Sequence, residues 1–274
     1  MNYLKYTIGT TPEYHDIILA ELTALPFEAF EEETDSIAAY APEADFTPDV
    51  NDDFLALSQK YSFRYDLETI APQNWNALWE ASFQPIIVDD FCAVRASFHA
   101  ALPNVQHDLI IDPKMAFGTG HHETTFMVMQ LMRNIDFTSK KVFDYGCGTG
   151  ILAILAAKLH AAHIDAIDIE EESYHNTQEN ALLNGTPQVA ALHGTLEQMT
   201  ETVEYDIILA NINRNVIIAS LARLFSLLKP TGTILFSGFI LSDEELLQNA
   251  ATATGFTHQK TLRKGNWLAM EFVK

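Results

Sequence analysis

One stretch constrains this chain more than any other: Val142-Phe143-Asp144-Tyr145-Gly146-Cys147-Gly148-Thr149-Gly150-Ile151-Leu152. It reads as an apolar strand, a glycine-rich turn and an apolar helix. Glycines admit positive φ and let a ligand approach the backbone with no Cβ in the way. The helix that follows offers its free N–H groups to that ligand. Many glycine turns are only tight turns, and here the strand and helix on either side raise the signal. Asp168 ends the next predicted strand, 22 residues after Gly146. An acid at that place accepts hydrogen bonds from both hydroxyls of a ribose. The turn is G-x-G-x-G and not the dinucleotide pattern G-x-G-x-x-G. Asp144, just before it, is placed to meet a cationic group on the ligand.

The surrounding pattern is one of alternating strands and helices. Strands are expected at Lys141–Tyr145, His163–Ile169, Gln188–His193, Tyr205–Asn211 and Thr233–Ser237. Helices are expected at Ile151–His160, Glu171–Asn184, Asn213–Leu228 and Asp243–Thr254, with a turn at Lys229–Gly232 and a terminal hairpin over Thr257–Lys274. Repeated β-α units of this length build an α/β fold, a mostly parallel sheet covered on both faces. Residues 1–70 differ. Leu4, Tyr6 and Ile8 alternate as in a half-buried strand. Tyr14, Ile17, Ile18, Leu22 and Leu25 recur at helical spacing up to Pro26, as do Val50, Phe54, Leu57 and Tyr61. Strand-like pieces at Phe27–Glu32, Ser36–Tyr40 and Arg64–Ile70 complete the order β-α-β-β-α-β, a small ferredoxin-like α+β domain. The expected division is 1–70, a linker at 71–84 carrying Trp75 and Trp79 on a short helix, and 85–274.

Composition narrows the partners. The 274 residues hold 16 Lys and Arg against 37 Asp and Glu, a net charge of -21. A broad phosphate-binding face needs clustered cations, so direct nucleic-acid binding is not expected, nor is docking to an anionic membrane. Residues 1–70 hold 15 acids against 3 bases, so -12 of the charge lies there. That is either a solvated face or a docking surface for a basic partner. Two cysteines, Cys92 and Cys147, make no disulfide framework and fit a reducing compartment. No secretory signal or membrane-length apolar run is visible, so a cytoplasmic location is expected. Asn184-Gly185-Thr186 matches a glycosylation acceptor by chance.

Two further stretches carry chemistry. Ile110 to Thr125 runs from an apolar strand through Gly118-Thr119-Gly120 to a helix beginning near Thr124. His122-Glu123 opens like a zincin H-E-x-x-H, but residue 126 is Phe, so no metal site is expected. The loop reads better as a lid with Gly118 and Gly120 as hinges. Ile207 to Arg214 is an apolar strand ending in Asn211, at the sheet edge where open α/β sheets bind ligands. Asn211 either meets that ligand or caps the next helix.

Asp144-x-Gly146-Cys147-Gly148-Thr149-Gly150 with Asp168 resembles the class I, Rossmann-like fold of S-adenosylmethionine-dependent methyltransferases. M-A-F-G-T-G-H-H-E-T-T, F-D-Y-G-C-G-T-G-I-L-A-I and I-L-A-N-I, in that order behind a small α+β domain, resemble the ribosomal protein L11 methyltransferase (PrmA-type) family over essentially the whole chain. The resemblance implies methyl transfer from S-adenosyl-L-methionine to lysine, and in some members N-terminal, amines of a basic large-subunit ribosomal protein. It implies recognition of that protein by the N-terminal domain. It places cofactor contacts on Thr125, Gly146, Gly148, Asp168 and Asn211. Phe117, Gly118 and Thr119 would close over the cofactor with Gly120, and Asn211 would be the catalytic group. This chain departs from the family in having His121 and Glu123 where the loop usually has Thr and Pro, Glu170 for the usual Asp, and Asn213-Arg214 after the key Asn. Loss of the Pro is expected to loosen the helix start.

No side chain stands out as a general base. The Asn211 oxygen can orient an amine, and His122 either relays a proton or is structural. A small-molecule methyltransferase and a non-catalytic cofactor-binding module are the competing functions. The first would tolerate loss of residues 1–70, and the second would transfer no methyl label.

Overall fold

Alternation at Leu4, Tyr6 and Ile8 turns one face of the first strand inward, and a sheet grows around it. The computed structural model describes residues 2–11, 14–32, 35–70, 84–112, 118, 120–199 and 204–274. Trp75, Trp79 and the rest of 71–83 lie outside them. The chain divides into two units, Met1–Ser82 and Phe83–Lys274.

The first unit contains β1 (Tyr3–Gly9), α1 (His15–Leu22), β2 (Ala29–Glu32), β3 (Ser36–Pro42), α2 (Pro48–Tyr61) and β4 (Tyr65–Ile70). The sheet order β2-β3-β1-β4, with every pair antiparallel, is the ferredoxin-like arrangement. Its core packs Ile8, Ile18, Leu22 and Ile37 around an aromatic group in which Tyr6 meets Phe54 at 4.6 Å and Phe46 at 4.9 Å between centroids. Pro48 pre-sets the first turn of α2, whose N-cap Thr47 accepts from Val50 N. Helix α1 stops at Leu22, short of the expected Leu25, and residues up to Phe27 continue in tight turns.

The second unit carries the alternating pattern. Its sheet is built from β8 (Lys141–Tyr145), β9 (His163–Asp168), β10 (Val189–His193), β11 (Tyr205–Asn211), β12 (Leu228–Ile240), β13 (Thr257–Lys264) and β14 (Trp267–Val273). The order is β10-β9-β8-β11-β12-β14-β13. The first five run parallel and the terminal hairpin antiparallel. Alternate residues of β11 face opposite sides. Ile207 and Leu209 enter one core with Met127, Ile154 and Leu155, while Ile208 and Ala210 enter the other with Ile217, Leu221 and Leu247. Those cores are covered by α3 (Glu123–Met132) and α4 (Ile151–Lys158) on one side, and by α6 (Arg214–Leu227) and α7 (Glu244–Thr254) on the other. Helix α5 (Glu171–Leu183) links β9 to β10. Among the described residues, no helix is long and apolar enough to cross a membrane.

Two expectations need correction. Lys229–Gly232 form no separate turn. They lie inside β12, where pairing to β11 jumps from Leu228 to Thr233 while β11 advances only from Tyr205 to Ile207. The excess chain is absorbed locally, with Thr231 at φ 64° and its N–H bonded to the Lys274 carbonyl. The stretch before the lid is also more than one strand. It is a three-stranded sheet of β5 (Ile86–Val88), β6 (Cys92–Arg95) and β7 (His107–Ile110). Arg95, nearly buried, forks onto both oxygens of Asp108 at 2.8–3.0 Å within it.

The strand order reverses between β8 and β11. The chain leaves β8 toward β9 on one side and β11 toward β12 on the other. A crevice opens at the carboxyl ends of strands at such a switch point.

Candidate active site

The glycine turn after β8 folds onto β9. Gly146 N and Cys147 N both donate to the Ile167 carbonyl, at 2.9 and 3.1 Å. Gly146 adopts φ 77°, and a Cβ there would stand 2.1 Å from Ile212 Cγ2. Gly238, at φ 98°, would place a Cβ 2.2 Å from the Ile212 carbonyl oxygen. The residue after Asn211 is thus seated on two glycines from neighbouring strands.

Asp168 ends β9 with both carboxylate oxygens in use. Oδ2 accepts from Gly148 N at 2.9 Å and Oδ1 from Glu170 N at 3.0 Å. Each carboxylate oxygen has a second lone pair, so a pair of vicinal hydroxyls can still be taken. Asp144 is almost wholly buried. Its Oδ2 accepts from Ala153 N at 3.0 Å, and Oδ1 has no partner. Burial pushes its carboxyl up to about 7, Asp168 adds to the rise, and the Ala153 amide opposes it. Burial, and then Asp144, push the Cys147 thiol up, so it is no nucleophile.

The turn is braced by residues that sequence reasoning passed over. Helix α5 buries Asn176, Thr177 and Asn180, yet Leu182 is 83% exposed. The inward amides hold backbone. Asn180 Nδ2 donates to the Thr149 carbonyl at 2.9 Å, and its Oδ1 accepts from Asp112 N at 3.0 Å. Thr177 Oγ1 donates to the Gly148 carbonyl at 2.9 Å, and Asn176 Nδ2 to the Asp112 carbonyl at 3.0 Å. Asn184 bonds both backbone groups of Ile110, so the amide of the apparent glycosylation acceptor is already committed. The available signal was the spacing of Asn176, Asn180 and Asn184, one face of a helix.

Asn211 stands at the carboxyl end of β11. Its Nδ2 donates to Thr125 Oγ1 at 3.1 Å, while its buried Oδ1 has no partner. The cap on α6 comes instead from Asn213, whose Oδ1 accepts from Asn215 N at 2.9 Å. Asn211, Gly146, Gly148 and Asp168 line one cavity of about 680 Å³, together with His122 and Trp267. Thr125 is fully buried and reaches the site through Asn211.

His122 is the N-cap of α3. Its Nδ1 accepts from Thr124 N at 3.3 Å, and its ring meets the Trp267 ring edge-on at 4.5 Å. This cap stands at the helix start, and Glu123 in the first turn complements the helix dipole. Gly118 is tied down, since Thr149 Oγ1 donates to its carbonyl at 2.6 Å. Phe117 and Thr119 lie outside the described residues.

The arrangement provides a glycine-floored cavity, a carboxylate with two free lone pairs and an acceptor-only amide oxygen. Those are the parts needed to hold a nucleoside and orient an N–H donor beside it.

The family description "Ribosomal protein L11 methyltransferase (PrmA)" matches residues 11–274. A ribosomal protein L11 methyltransferase of Porphyromonas gingivalis is 39% identical over 100% of this chain and 98% of its own length. One from Phocaeicola vulgatus is 33% identical over 100% of this chain and 99% of its own length. Among solved structures, a ribosomal protein L11 methylase from Lactobacillus delbrueckii subsp. bulgaricus superposes with a TM-score of 0.65 at 29% identity, covering 69% of this chain and 98% of that one. A methyltransferase from Pyrococcus furiosus, at 14% identity and a TM-score of 0.52 over 60% of this chain and 88% of that one, shares the fold.

Proposed function

Because the chain belongs to the ribosomal protein L11 methyltransferase family, we propose that it transfers methyl groups from S-adenosylmethionine to lysine amines of ribosomal protein L11. The observation that carries this reading is the Asn211 amide. Its nitrogen is locked to Thr125, its oxygen is buried and unpartnered, and the residue lines the cavity. Such an oxygen calls for an N–H donor.

Glycine clearance around Gly146 and the two remaining lone pairs of Asp168 fit the nucleoside of the cofactor. When bound, S-adenosylmethionine supplies an electrophilic methyl group on a sulfonium. The chain's own residues then have to align the acceptor. Asn211 Oδ1 accepts one N–H of the amine and so aims its lone pair, and holding two reactants in line is worth several orders of magnitude in rate. A lysine amine titrates at about 10.4 in water and must arrive neutral. Burial in the cavity lowers that value. The amide oxygen takes no proton, and Nδ1 of His122 meets both Thr124 Oγ1 at 2.8 Å and Thr124 N at 3.3 Å in its capping role. Deprotonation to water is the route proposed for the amine.

Residues 1–70 are assigned to recognition of the ribosomal protein. Exposed Glu28, Glu31, Asp66 and Glu68 supply an acidic surface there. The test is incubation of the purified chain with methyl-labelled cofactor and ribosomal protein L11. Label is expected in L11 and, after hydrolysis, in methylated lysine. Label confined to other residues refutes the lysine assignment, and an unlabelled L11 refutes the substrate.

A further inference from the structure

The sheet of the first unit has two unlike faces. Tyr6, Ile8, Ile37 and Ala39 enter the core on one side, where α1 and α2 add Ile18, Leu22, Phe54 and Leu57. Successive strand residues face opposite sides, so Tyr3, Lys5 and Thr7 point the other way. The register sets this second face in rows across the four strands. Ala29, Tyr40, Lys5 and Glu68 form one row, and Glu31, Ala38, Thr7 and Asp66 the next. Pro42, Tyr3 and Ile70 form a third. Ala38 and Thr7 make a floor of small side chains, with exposed carboxylates on either flank at Glu31 and Asp66.

Two tyrosines on this face are each held beside a carboxylate. Tyr40 Oη donates to Glu31 Oε2 at 2.7 Å, and Tyr3 Oη to Glu28 Oε2 at 2.8 Å. They are diagonal neighbours on adjacent strands, about 7–8 Å apart. A ring face and a carboxylate together suit an ammonium or guanidinium, which the ring attracts and the carboxylate pairs with. The domain shows this on its other side, where Tyr61 Oη donates to Glu21 Oε1 at 2.9 Å. There Lys60 fills the pair, its Nζ 2.7 Å from Glu21 Oε1 and 4.9 Å from the Tyr61 centroid. On the sheet face Lys5 Nζ stands 5.7 Å from the Tyr40 centroid. Among the described residues, no ion pair engages Glu28, Glu31, Asp66 or Glu68. Those four acids outnumber Lys5 and Arg64, the cations at this face.

We propose that this sheet face, with Tyr3 and Tyr40 as its anchors, docks a lysine- or arginine-bearing segment of ribosomal protein L11. The inference rests on the reading that residues 1–70 recognise that protein. It selects the sheet over the helices, where the tyrosine–glutamate pair already holds a lysine of this chain. Rings fixed by a hydrogen bond lose little freedom on binding, and tyrosines are among the side chains that carry most of an interface's energy.

The experiment measures the dissociation constant and KM for ribosomal protein L11 on variants of the full chain, together with cofactor affinity and melting temperature. Tyr3→Ala with Tyr40→Ala should weaken L11 binding about 30-fold or more, the cost of losing hot-spot side chains. Glu31→Gln with Glu68→Gln should weaken it about 5- to 10-fold and flatten its dependence on salt. Asp52→Asn with Asp53→Asn removes the same charge from exposed positions on α2, and should change binding by less than about twofold. The loss should appear in KM for L11 and not in the cofactor dissociation constant, because the cavity residues are untouched. Equal losses from the two charge pairs overturn the inference, since net charge alone would then account for both. Wild-type L11 binding in the tyrosine double variant overturns it too. If that variant does not fold, the two charge pairs carry the comparison. L11 that the unaltered chain neither binds nor methylates removes the proposed function, and the inference with it. L11 that is methylated, yet bound equally well by every variant, sinks the inference alone.

Discussion

Asp144→Asn isolates the cost of the carboxyl buried beneath the glycine turn. The native group is pushed from 3.8 up to about 7 by burial, with one oxygen on Ala153 N and the other unpartnered. Between those two values the folded chain keeps a proton that the unfolded chain has released. Linkage then makes the fold lose stability as pH rises, by about 1.4 kcal/mol per pH unit, until the native carboxyl ionises. The whole interval corresponds to about 4 kcal/mol. The part between about pH 5.5 and 8 comes to about 2 kcal/mol. Asparagine stays neutral throughout, and its oxygen can still accept from Ala153 N. Urea unfolding of both proteins at a series of pH values reads the difference directly. The stability of the variant relative to wild type should grow by about 2 kcal/mol across that range. Carboxylates elsewhere titrate in both proteins and cancel. A difference that is flat in pH refutes the reasoning, because Asp144 would then ionise in the fold as it does in the open chain.

Asp168→Ala removes the acceptor for Gly148 N and Glu170 N as well as the ribose hydroxyls. Calorimetric affinity for S-adenosylmethionine should fall at least about 100-fold, as expected for losing charged hydrogen bonds. Unchanged affinity would put the ribose elsewhere. Thr125→Val keeps the volume but frees Asn211 Nδ2, so kcat on L11 should drop about 3- to 10-fold with cofactor affinity nearly constant. An unaltered kcat would show that Asn211 needs no such anchor. Association with ribosomal protein L11 should weaken as salt is raised, because most of the -21 charge lies in residues 1–70. Salt-independent binding would reduce that acidity to a matter of solubility.

The glycine turn was legible in sequence because its conformation admits little else. Residues between β8 and α4 must turn sharply, and Gly146 faces a side chain 2.1 Å from where its own would be. The N-terminal topology was legible through the alternation of Leu4, Tyr6 and Ile8 and the helical spacing of Phe54 and Leu57, all of which enter one core. The strands β5 and β6 escaped notice because stretches as short as Ile86–Val88 and Cys92–Arg95 hold too few residues for a period of two to show. Helix α5 was found, but its burden was not. Its buried face is polar, so an apolar-stripe argument looks for the wrong side chains. Arg214 donates to Asp243, 29 positions away, and nothing local in either segment announces the other.

The clasp at the end of α5 also governs how the molecule ages. Asn184 precedes Gly185, a dipeptide whose backbone nitrogen readily closes onto the asparagine side-chain carbon, expelling ammonia to give a cyclic imide that water then opens to a carboxylate. Closure requires the Gly185 nitrogen to reach the side-chain carbon of Asn184. Here that nitrogen donates to the Leu182 carbonyl at 3.1 Å, and the amide is held by Ile110 and the Asn180 carbonyl. The same bonds that steady β7 therefore keep the reacting atoms apart while the helix end is closed. Deamidation at Asn184 becomes a slow record of how often that end opens. Each event would replace a donor to the Ile110 and Asn180 carbonyls with a negative charge facing them.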